Sequence, residues 1–154
     1  MADVRHWLMK SEEDEYSIDD LARDGKAPWT GVRNYEARNL MRDEMKPGDL
    51  ILYYHSNARP SGVAGIARVA SEPYPDHLQF DPESRYHDAK ATKEEPRWFL
   101  VDVEFVEKFP RVVPLAEVKD HPDLQEMTLV RRMRLSVQPV EPEEFRIIQE
   151  MAGS

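Results

Sequence analysis

The side chains best suited to chemistry in this sequence are aromatic rings, short polar groups and cations that occur in four short segments. A ring can stack on another flat ring, polar groups can hydrogen-bond its edge, and cations can pair with phosphate. The candidates are, for stacking and edge contacts with a base, Ser11, Trp29, Asn34, Tyr35, Tyr54, His55, Ser56 and Gln138, and for phosphate, Lys10, Arg33 and Arg38. Together they match what capture of an extruded nucleic-acid base requires.

Several of these residues have an equally simple structural interpretation. Trp29 stands in a loop beside Pro28, where an exposed ring favours function. Asn34 can cap the helix that follows it, and Arg38 can pair with a neighbouring carboxylate. His55, at a strand end, can be a hydrogen-bonded residue of the sheet. These alternatives stay open from the sequence.

Alternation along the predicted strand at 49–56 separates two neighbouring tyrosines. Side chains in a strand point to opposite faces in turn, so one of Tyr53 and Tyr54 faces the core and the other faces the opposite side, and which of them meets the pocket stays open. Trp7 and Tyr53 each lie in a strand pattern, which favours core packing for both. Gln138 shares its predicted face with Ser136, which fits a polar pocket wall and fits a solvated face equally well.

Catalytic motifs give little support to an enzyme. The chain contains no Gly-x-Ser-x-Gly elbow, P-loop or dinucleotide fingerprint. It has no cysteine, which excludes disulfides, thiolate catalysis and iron–sulfur ligation. The adjacent pair His87–Asp88 is a weak metal signal without further ligands. We predict no catalytic residue, no metal and no cofactor.

Charge and length limit the class of protein. The formal net charge of −9 opposes a broad basic footprint, so any nucleic-acid contact must be local. Basic residues do cluster at 33–46 and 131–134.

A length of 154 residues suits one domain over 1–154. No apolar run approaches the roughly 20 residues that span a bilayer, and no signal peptide is evident, so we expect a cytoplasmic protein without membrane contact.

The elements that must position these residues follow from periodicity and capping signals. Between residues 73 and 95 a proline-rich, charged segment predicts a surface excursion, with a short strand near 78–80. Strands are predicted at 5–10, 49–56, 61–71, 96–109 and 133–140, and helices at 17–25, 34–45, 113–122 and 142–151. This order predicts an α+β fold with a mostly antiparallel sheet or barrel.

Six blocks of the chain resemble the EVE domain family of the PUA-like superfamily. In order they read WLMKSE (7–12), GVRNYEARN (31–39), GDLILYYHS (48–56), GVAGIARV (62–69), PRWFLVDVEF (96–105) and RLSVQPV (134–140). The resemblance implies a PUA-like, mostly antiparallel β-barrel surrounded by short helices. It also implies a noncatalytic domain that captures a modified base, notably cytosine modified at C5, in DNA or RNA.

The pocket expected from this resemblance lies between the loop at Trp29, the helix start at Asn34 and the strand ends at Lys10 and His55. A module that binds a small metabolite or a protein partner is the main alternative. A nucleoside-processing enzyme is a less favoured alternative. The residues do not identify the base modification, and they do not distinguish DNA from RNA.

Overall fold

A curled six-stranded sheet, a half-barrel, organises the computed structural model, which describes residues 4–153. The strands are β1 His6–Glu12, β2 Lys26–Pro28, β3 Leu50–Ser56, β4 Gly62–Val69, β5 Tyr74–Pro75, β6 Phe99–Leu100, β7 Asp102–Pro114 and β8 Val137–Val140. The helices are α1 Ile18–Asp24, α2 Tyr35–Asn39, α3 Leu115–Asp120, α4 Thr128–Arg131 and α5 Pro142–Met151, with a π-helical turn Leu40–Glu44 after α2 and a 3₁₀ turn His77–Phe80.

Strand order in the main sheet is β2-β7-β4-β3-β1-β8, and β5 pairs with β6 in a separate two-stranded ladder. Every neighbouring pair is antiparallel except β1 and β3, which run parallel. The parallel pair needs a crossover, which α1, β2 and α2 provide. The predicted α+β class with a mostly antiparallel sheet is confirmed.

Alternation along the central strands divides the core into two layers. Trp7, Met9 and Tyr53 point to one face, which we call the front face, where α1 and the loop at Trp29 pack. Leu8 and Tyr54 point to the opposite, back face, which α5 covers. Tyr53 is therefore the tyrosine on the side of the Trp29 loop, and Tyr54 belongs to the other layer.

Local sequence signals account for the two best-predicted helices. Ser17 caps α1 in a reciprocal capping box with Asp20, and Gly25 ends the helix at φ 79°. In α5, Pro142 occupies the first turn, and Phe145 and Ile148 are buried against the back face. Both helices lie close to their predicted ranges.

Several predicted elements and bounds were wrong, and local contacts explain the clearest cases. The segment near 78–80 forms a 3₁₀ turn because the Asp76 carboxylate accepts a hydrogen bond from Leu78 N at 2.8 Å. The last strand begins only at Val137, since a turn joins Leu135 N to Arg132 O at 3.3 Å. Edge strand β2 and helix α4 were missed; β2 contains a proline, which only edge strands tolerate well.

The excursion at 73–95 is tied to the body of the protein through Gln79, which is fully buried. Its Oε1 accepts from Arg97 N and Trp98 N, both at 2.9 Å. Its Nε2 donates to Asp76 O and Trp98 O, both at 2.8 Å. Because the amide has matched partners on both atoms, the excursion is held in one place against the sheet.

Among the helices formed by residues 4–153, none is long and apolar enough to cross a membrane.

Candidate functional site

A pocket of about 850 Å³ opens on the front face, between the ends of β1 and β3, the loop at 29–34 and the excursion at 84–86. Its volume lies in the range of sites that enclose a small ligand or one base. The aromatic residues in its wall are Tyr16, Trp29 and Tyr86. Of the predicted contact residues it brings together Lys10, Ser11, Trp29, Arg33, Asn34 and Ser56.

Trp29 lines this pocket, but the expectation of an exposed ring was wrong. Only 8% of the residue is exposed, because the indole packs into the front core. It meets Tyr53 edge to face, with ring centroids 5.4 Å apart and planes at 86°. Its backbone N donates to Val101 O at 3.0 Å. Trp29 thus presents part of a rigidly held ring to the pocket.

Tyr86 forms the wall that the excursion contributes, and it was not predicted from the sequence. Its ring lies against Gly31, where an added Cβ would come within 2.9 Å of the ring carbons. Gly31 also adopts φ 87°, a conformation that side chains rarely take. Glycine is required here on both counts, and the close approach fixes the ring beside the loop.

Arg33 lines the pocket, yet its guanidinium is used inside the protein. Nε and Nη2 donate to Tyr86 O at 3.1 and 2.9 Å, and Nη1 donates to Val32 O at 2.9 Å and to Asp76 Oδ2 at 3.0 Å. Four of its five N–H groups are therefore occupied. The structure corrects the predicted phosphate role: Arg33 positions the Tyr86 wall.

Asp76 holds the loop at 31–33 against the excursion. Its carboxylate is 1% exposed and accepts from Gly31 N at 2.8 Å as well as from Arg33. Burial of this ion pair with directed hydrogen bonds on both partners couples the loop to the excursion.

Asn34 serves as the N-cap of α2, accepting from Ala37 N at 2.9 Å through Oδ1. The residue is exposed and lines the pocket. Within the part of the chain that is described, its amide nitrogen has no hydrogen-bond partner. The predicted alternatives, helix cap and pocket contact, are compatible because they use different atoms.

Lys10 lines the opposite rim of the pocket, and its side chain turns toward the back layer. It is partly buried, and burial lowers the pKa of its side chain. Nζ donates to Met133 O and lies 5.4 Å from the centre of the Tyr54 ring. Ser11 and Ser56 lie on neighbouring strands beside it and contribute hydroxyls to the lining.

Charges of both signs surround the mouth. Arg85 lies 4.8 Å over the Tyr86 ring and pairs with Glu15 across the opening. Both side chains are largely exposed, so this ion pair contributes little to stability. Glu12 and Asp24 also contribute to the lining.

Four predicted base contacts, Tyr35, Tyr54, His55 and Gln138, lie outside the pocket. Tyr54 is buried in the back layer, opposite the pocket. Gln138 pairs with Leu8, so it shares the back face; its amide nitrogen donates to Leu135 O at 2.8 Å and Arg132 O at 3.1 Å. The predicted polar wall from Gln138 was therefore wrong, because its neighbours Leu135 and Val137 point to the front face and Gln138 points to the back.

His55 lies on the front side but beneath α1 instead of in the pocket. Its Nε2 accepts from Ile18 N at 3.0 Å, and Nδ1 is 3.3 Å from a Glu13 carboxylate oxygen. Burial lowers the pKa of the imidazole, while Glu13 opposes that shift. Of the two interpretations of His55 offered by the sequence, the structure matches the hydrogen-bonded residue at a strand end.

Tyr35 and Arg38 also lie outside the pocket, on an adjoining surface. Tyr35 is 47% exposed and stacks on Trp98, with centroids 4.8 Å apart and planes at 22°. Arg38 lies 4.7 Å from the centre of the Tyr35 ring. The sequence predicted the residues but placed them in the wrong part of the surface, since the start of α2 turns them outward.

The weak metal signal at His87–Asp88 has a structural explanation. Asp88 accepts from Trp98 Nε1 at 2.8 Å and from Lys90 N at 2.9 Å. Over residues 4–153, no group of three or more His, Asp or Glu side chains is arranged to hold a metal ion.

Comparison with known proteins identifies the relatives of the chain. A family model described as EVE domain matches residues 5–151. Thymocyte nuclear protein 1 of Gallus gallus is 41% identical over an alignment of 162 positions, gaps included. The alignment covers 93% of this chain and 66% of that protein. The chain thus spans about two thirds of the length of this curated relative.

Solved structures agree closely with the fold. A hypothetical protein from Leishmania major superposes with a TM-score of 0.94 at 48% identity, covering 98% of this chain and 96% of that one. The human THYN1 protein, crystallised in complex with 5-methylcytosine containing DNA, superposes with a TM-score of 0.90 at 38% identity. That comparison covers 97% of this chain and 98% of the human one.

Proposed function

The chain belongs to the EVE domain family, and from that membership and the pocket geometry we propose that it is a noncatalytic reader of modified bases in nucleic acid. The preferred ligand is a cytosine modified at C5 in DNA, extruded from its strand into the pocket at Trp29. Binding of the corresponding RNA is a second form of the same activity. Cytoplasmic location stays a prediction.

The observation that carries this proposal is the pocket of about 850 Å³ with aromatic walls, whose lining includes Lys10, Lys26 and Arg85 in a protein of net charge −9. An extruded base needs a flat apolar surface and a few polar groups for its edge. Support comes from the human relative, which was crystallised with 5-methylcytosine containing DNA.

The roles of the residues follow from their free atoms. Trp29 and Tyr86 offer ring surfaces to the base, and the Asn34 amide nitrogen offers a donor to its edge. Lys10 and Arg85 lie at the rim, where the phosphates of an extruded nucleotide would pass. Arg33 acts through Tyr86 and touches no phosphate in this scheme.

Recognition in this scheme makes and breaks no covalent bond. Extrusion costs a few kcal/mol of lost stacking, which contacts inside the pocket must offset. A C5 methyl group adds apolar area that the aromatic walls remove from water, so the modified base gains affinity over cytosine.

Direct binding tests the proposal. Fluorescence polarisation is measured with short labelled DNA and RNA strands that differ only in one cytosine or one C5-methylcytosine, at stated salt. We expect preference for the methylated DNA strand. Trp29→Leu, which keeps an apolar side chain in the core but removes the stacking ring, should weaken that binding about tenfold.

Lys46→Ala, an exposed change away from the lining, is the matched control and should bind like the parent protein. Thermal melting of each variant separates loss of binding from loss of folding. Equal effects of the Trp29 and Lys46 substitutions would contradict the stacking role, and equal binding of methylated and unmethylated strands would contradict the reader function.

A further inference from the structure

An exposed aromatic stack lies beside the pocket and takes no part in lining it. Tyr35 is 47% exposed, whereas Trp98 beneath it is 6% exposed. The indole of Trp98 is fixed by its hydrogen bond to Asp88 at 2.8 Å. Tyr35 is therefore a large ring held on a rigid base at the surface, with nearly half of the residue open to solvent.

Arg38 flanks this stack without covering it. Its guanidinium carbon lies 4.7 Å from the Tyr35 ring centre and 5.8 Å from the Trp98 ring centre, while the two rings are 4.8 Å apart. Three separations of similar length form a triangle, so Arg38 stands at the side of the stack. The outer face of Tyr35 is left open to solvent.

Two guanidinium groups at this surface keep most of their positive charge. Arg97 donates to the Tyr35 hydroxyl, and its ion pair with Asp88 is long at 3.6 Å. Arg38 donates to the neutral acceptors Asn39 Oδ1 and Arg97 O and has no ion pair with a carboxylate in residues 4–153. Arg42, by contrast, is paired with Asp43 at 2.8 Å. Burial and the positive charges of Arg42 and Arg97 lower the pKa of Arg38.

This surface is continuous with the pocket. The Arg33 guanidinium lies between the two sites, 5.4 Å from the Tyr86 ring centre and 5.3 Å from the Trp98 ring centre. Asn34, at the pocket rim, directly precedes Tyr35 in the chain. A strand that leaves the pocket past Asn34 therefore meets the open ring next.

We propose that Tyr35, Arg38 and Arg97 form a second subsite, which binds the nucleotide next to the captured base. The flanking base stacks on Tyr35, and Arg38 and Arg97 pair with the adjoining phosphate. Interleaved aromatic and cationic side chains are how proteins hold single-stranded nucleic acid without reading its sequence. This inference rests on the proposed function, because it assigns the path of the strand that carries the modified base.

A length series tests the subsite. The probes are 5-methyl-dCMP and a single-stranded DNA heptamer with one central C5-methylcytosine, measured against Tyr35→Ser and the parent protein. We expect Tyr35→Ser to bind the heptamer about tenfold more weakly and to bind the mononucleotide as the parent does. The ratio between methylated and unmethylated heptamers should stay unchanged.

Salt dependence tests the cations separately. Each phosphate contact that is lost reduces the slope of log K against log salt by about 0.7 for a single strand. We expect this reduction for Arg38→Gln and none for Arg146→Gln, which changes net charge equally but lies in α5. Tyr35→Phe, which keeps the ring, should bind the heptamer nearly as the parent does.

The outcomes separate the two proposals. A parent protein that prefers the methylated heptamer, with Tyr35→Ser and Arg38→Gln both binding it as well as the parent, would overturn the subsite and leave the reader function standing. A parent protein without preference for methylation would overturn both. The melting temperature of each variant is compared with that of the parent. Equal melting temperatures exclude loss of folding as the cause of weaker binding.

Discussion

In the proposed function Asn34 has two roles that use different atoms, and substitution can separate them. Its side-chain oxygen caps α2 by accepting a hydrogen bond from Ala37 N, whereas its side-chain nitrogen is the atom proposed to contact the base. Serine also caps helices well but lacks the amide. Helix stability and ligand contact are thus independent properties of one side chain.

We expect Asn34→Ser to keep the parent stability within about 0.5 kcal/mol and to weaken binding of a methylated strand, because only the amide donor is lost. Asn34→Ala should lose about 1 kcal/mol of unfolding free energy and weaken binding as well. Urea unfolding and fluorescence polarisation on both variants measure these effects. Parent-like binding by Asn34→Ser would remove the amide from the site.

Sequence reasoning found residues whose role is local and missed those whose role depends on distant contacts. Asn34 and Trp29 were predicted because a cap and a loop ring are visible in their own neighbours. Tyr86 was missed because nothing near it in sequence indicates the pocket; the Asp76 bonds to Gly31 and Arg33 bring it there. The one clue in the sequence was the glycine at position 31, where a side chain would collide with the Tyr86 ring.

Among the elements, α1 depends on a histidine from the sheet. His55 accepts a hydrogen bond from Ile18 N at the first turn of the helix, and only the neutral imidazole can do so through Nε2. Burial lowers the pKa of His55 in the folded protein below its usual value near 6.5. The unfolded chain therefore binds a proton at a higher pH than the folded chain does.

The contribution of His55 to the free energy of unfolding should be complete above about pH 6.5 and should decline as the pH falls from there toward the lower folded pKa. His55→Gln, which offers an uncharged acceptor, should flatten this part of the stability profile. Urea unfolding from pH 7.5 to 5 measures both curves. Parallel curves would show that His55 does not contribute.

Strand alternation was predictable from the sequence, but the face that meets the pocket was not. At the start of β7, Val103 belongs to the front layer together with the preceding Val101, and Phe105 packs against them, as their spacing predicts. Alternation also holds near β8, where Leu135 and Val137 belong to the front layer and Gln138 faces the other way, opposite Leu8. Gln138 was assigned to the pocket because alternation separates two faces without telling which of them the pocket occupies.

At the scale of the whole molecule, the excursion and the half-barrel form one site because a buried ion pair joins them. Asp76 belongs to the excursion, Arg33 to the loop before α2, and their contact at 3.0 Å is nearly closed to water. Loss of the carboxylate would leave the Arg33 charge without its partner. Stability and pocket shape should therefore fall together.

We expect Asp76→Asn to lower the free energy of unfolding by about 3 kcal/mol and to weaken binding at the pocket, because the amide cannot accept all the bonds that the carboxylate accepts. Glu94→Gln removes the same charge from an exposed position in the excursion and should change stability by less than about 0.5 kcal/mol. Urea unfolding compares them. Similar losses in both would indicate a general charge effect.

The place of β1 in the sheet sets the order in which the pocket can be completed during synthesis. β1 precedes its neighbours β3 and β8 in the chain, and Lys10 N can donate to Ser136 O, at 2.9 Å, only after residue 136 has been added. Such distant pairings form late and slowly. A nascent chain that ends before residue 136 therefore carries an unfinished pocket rim.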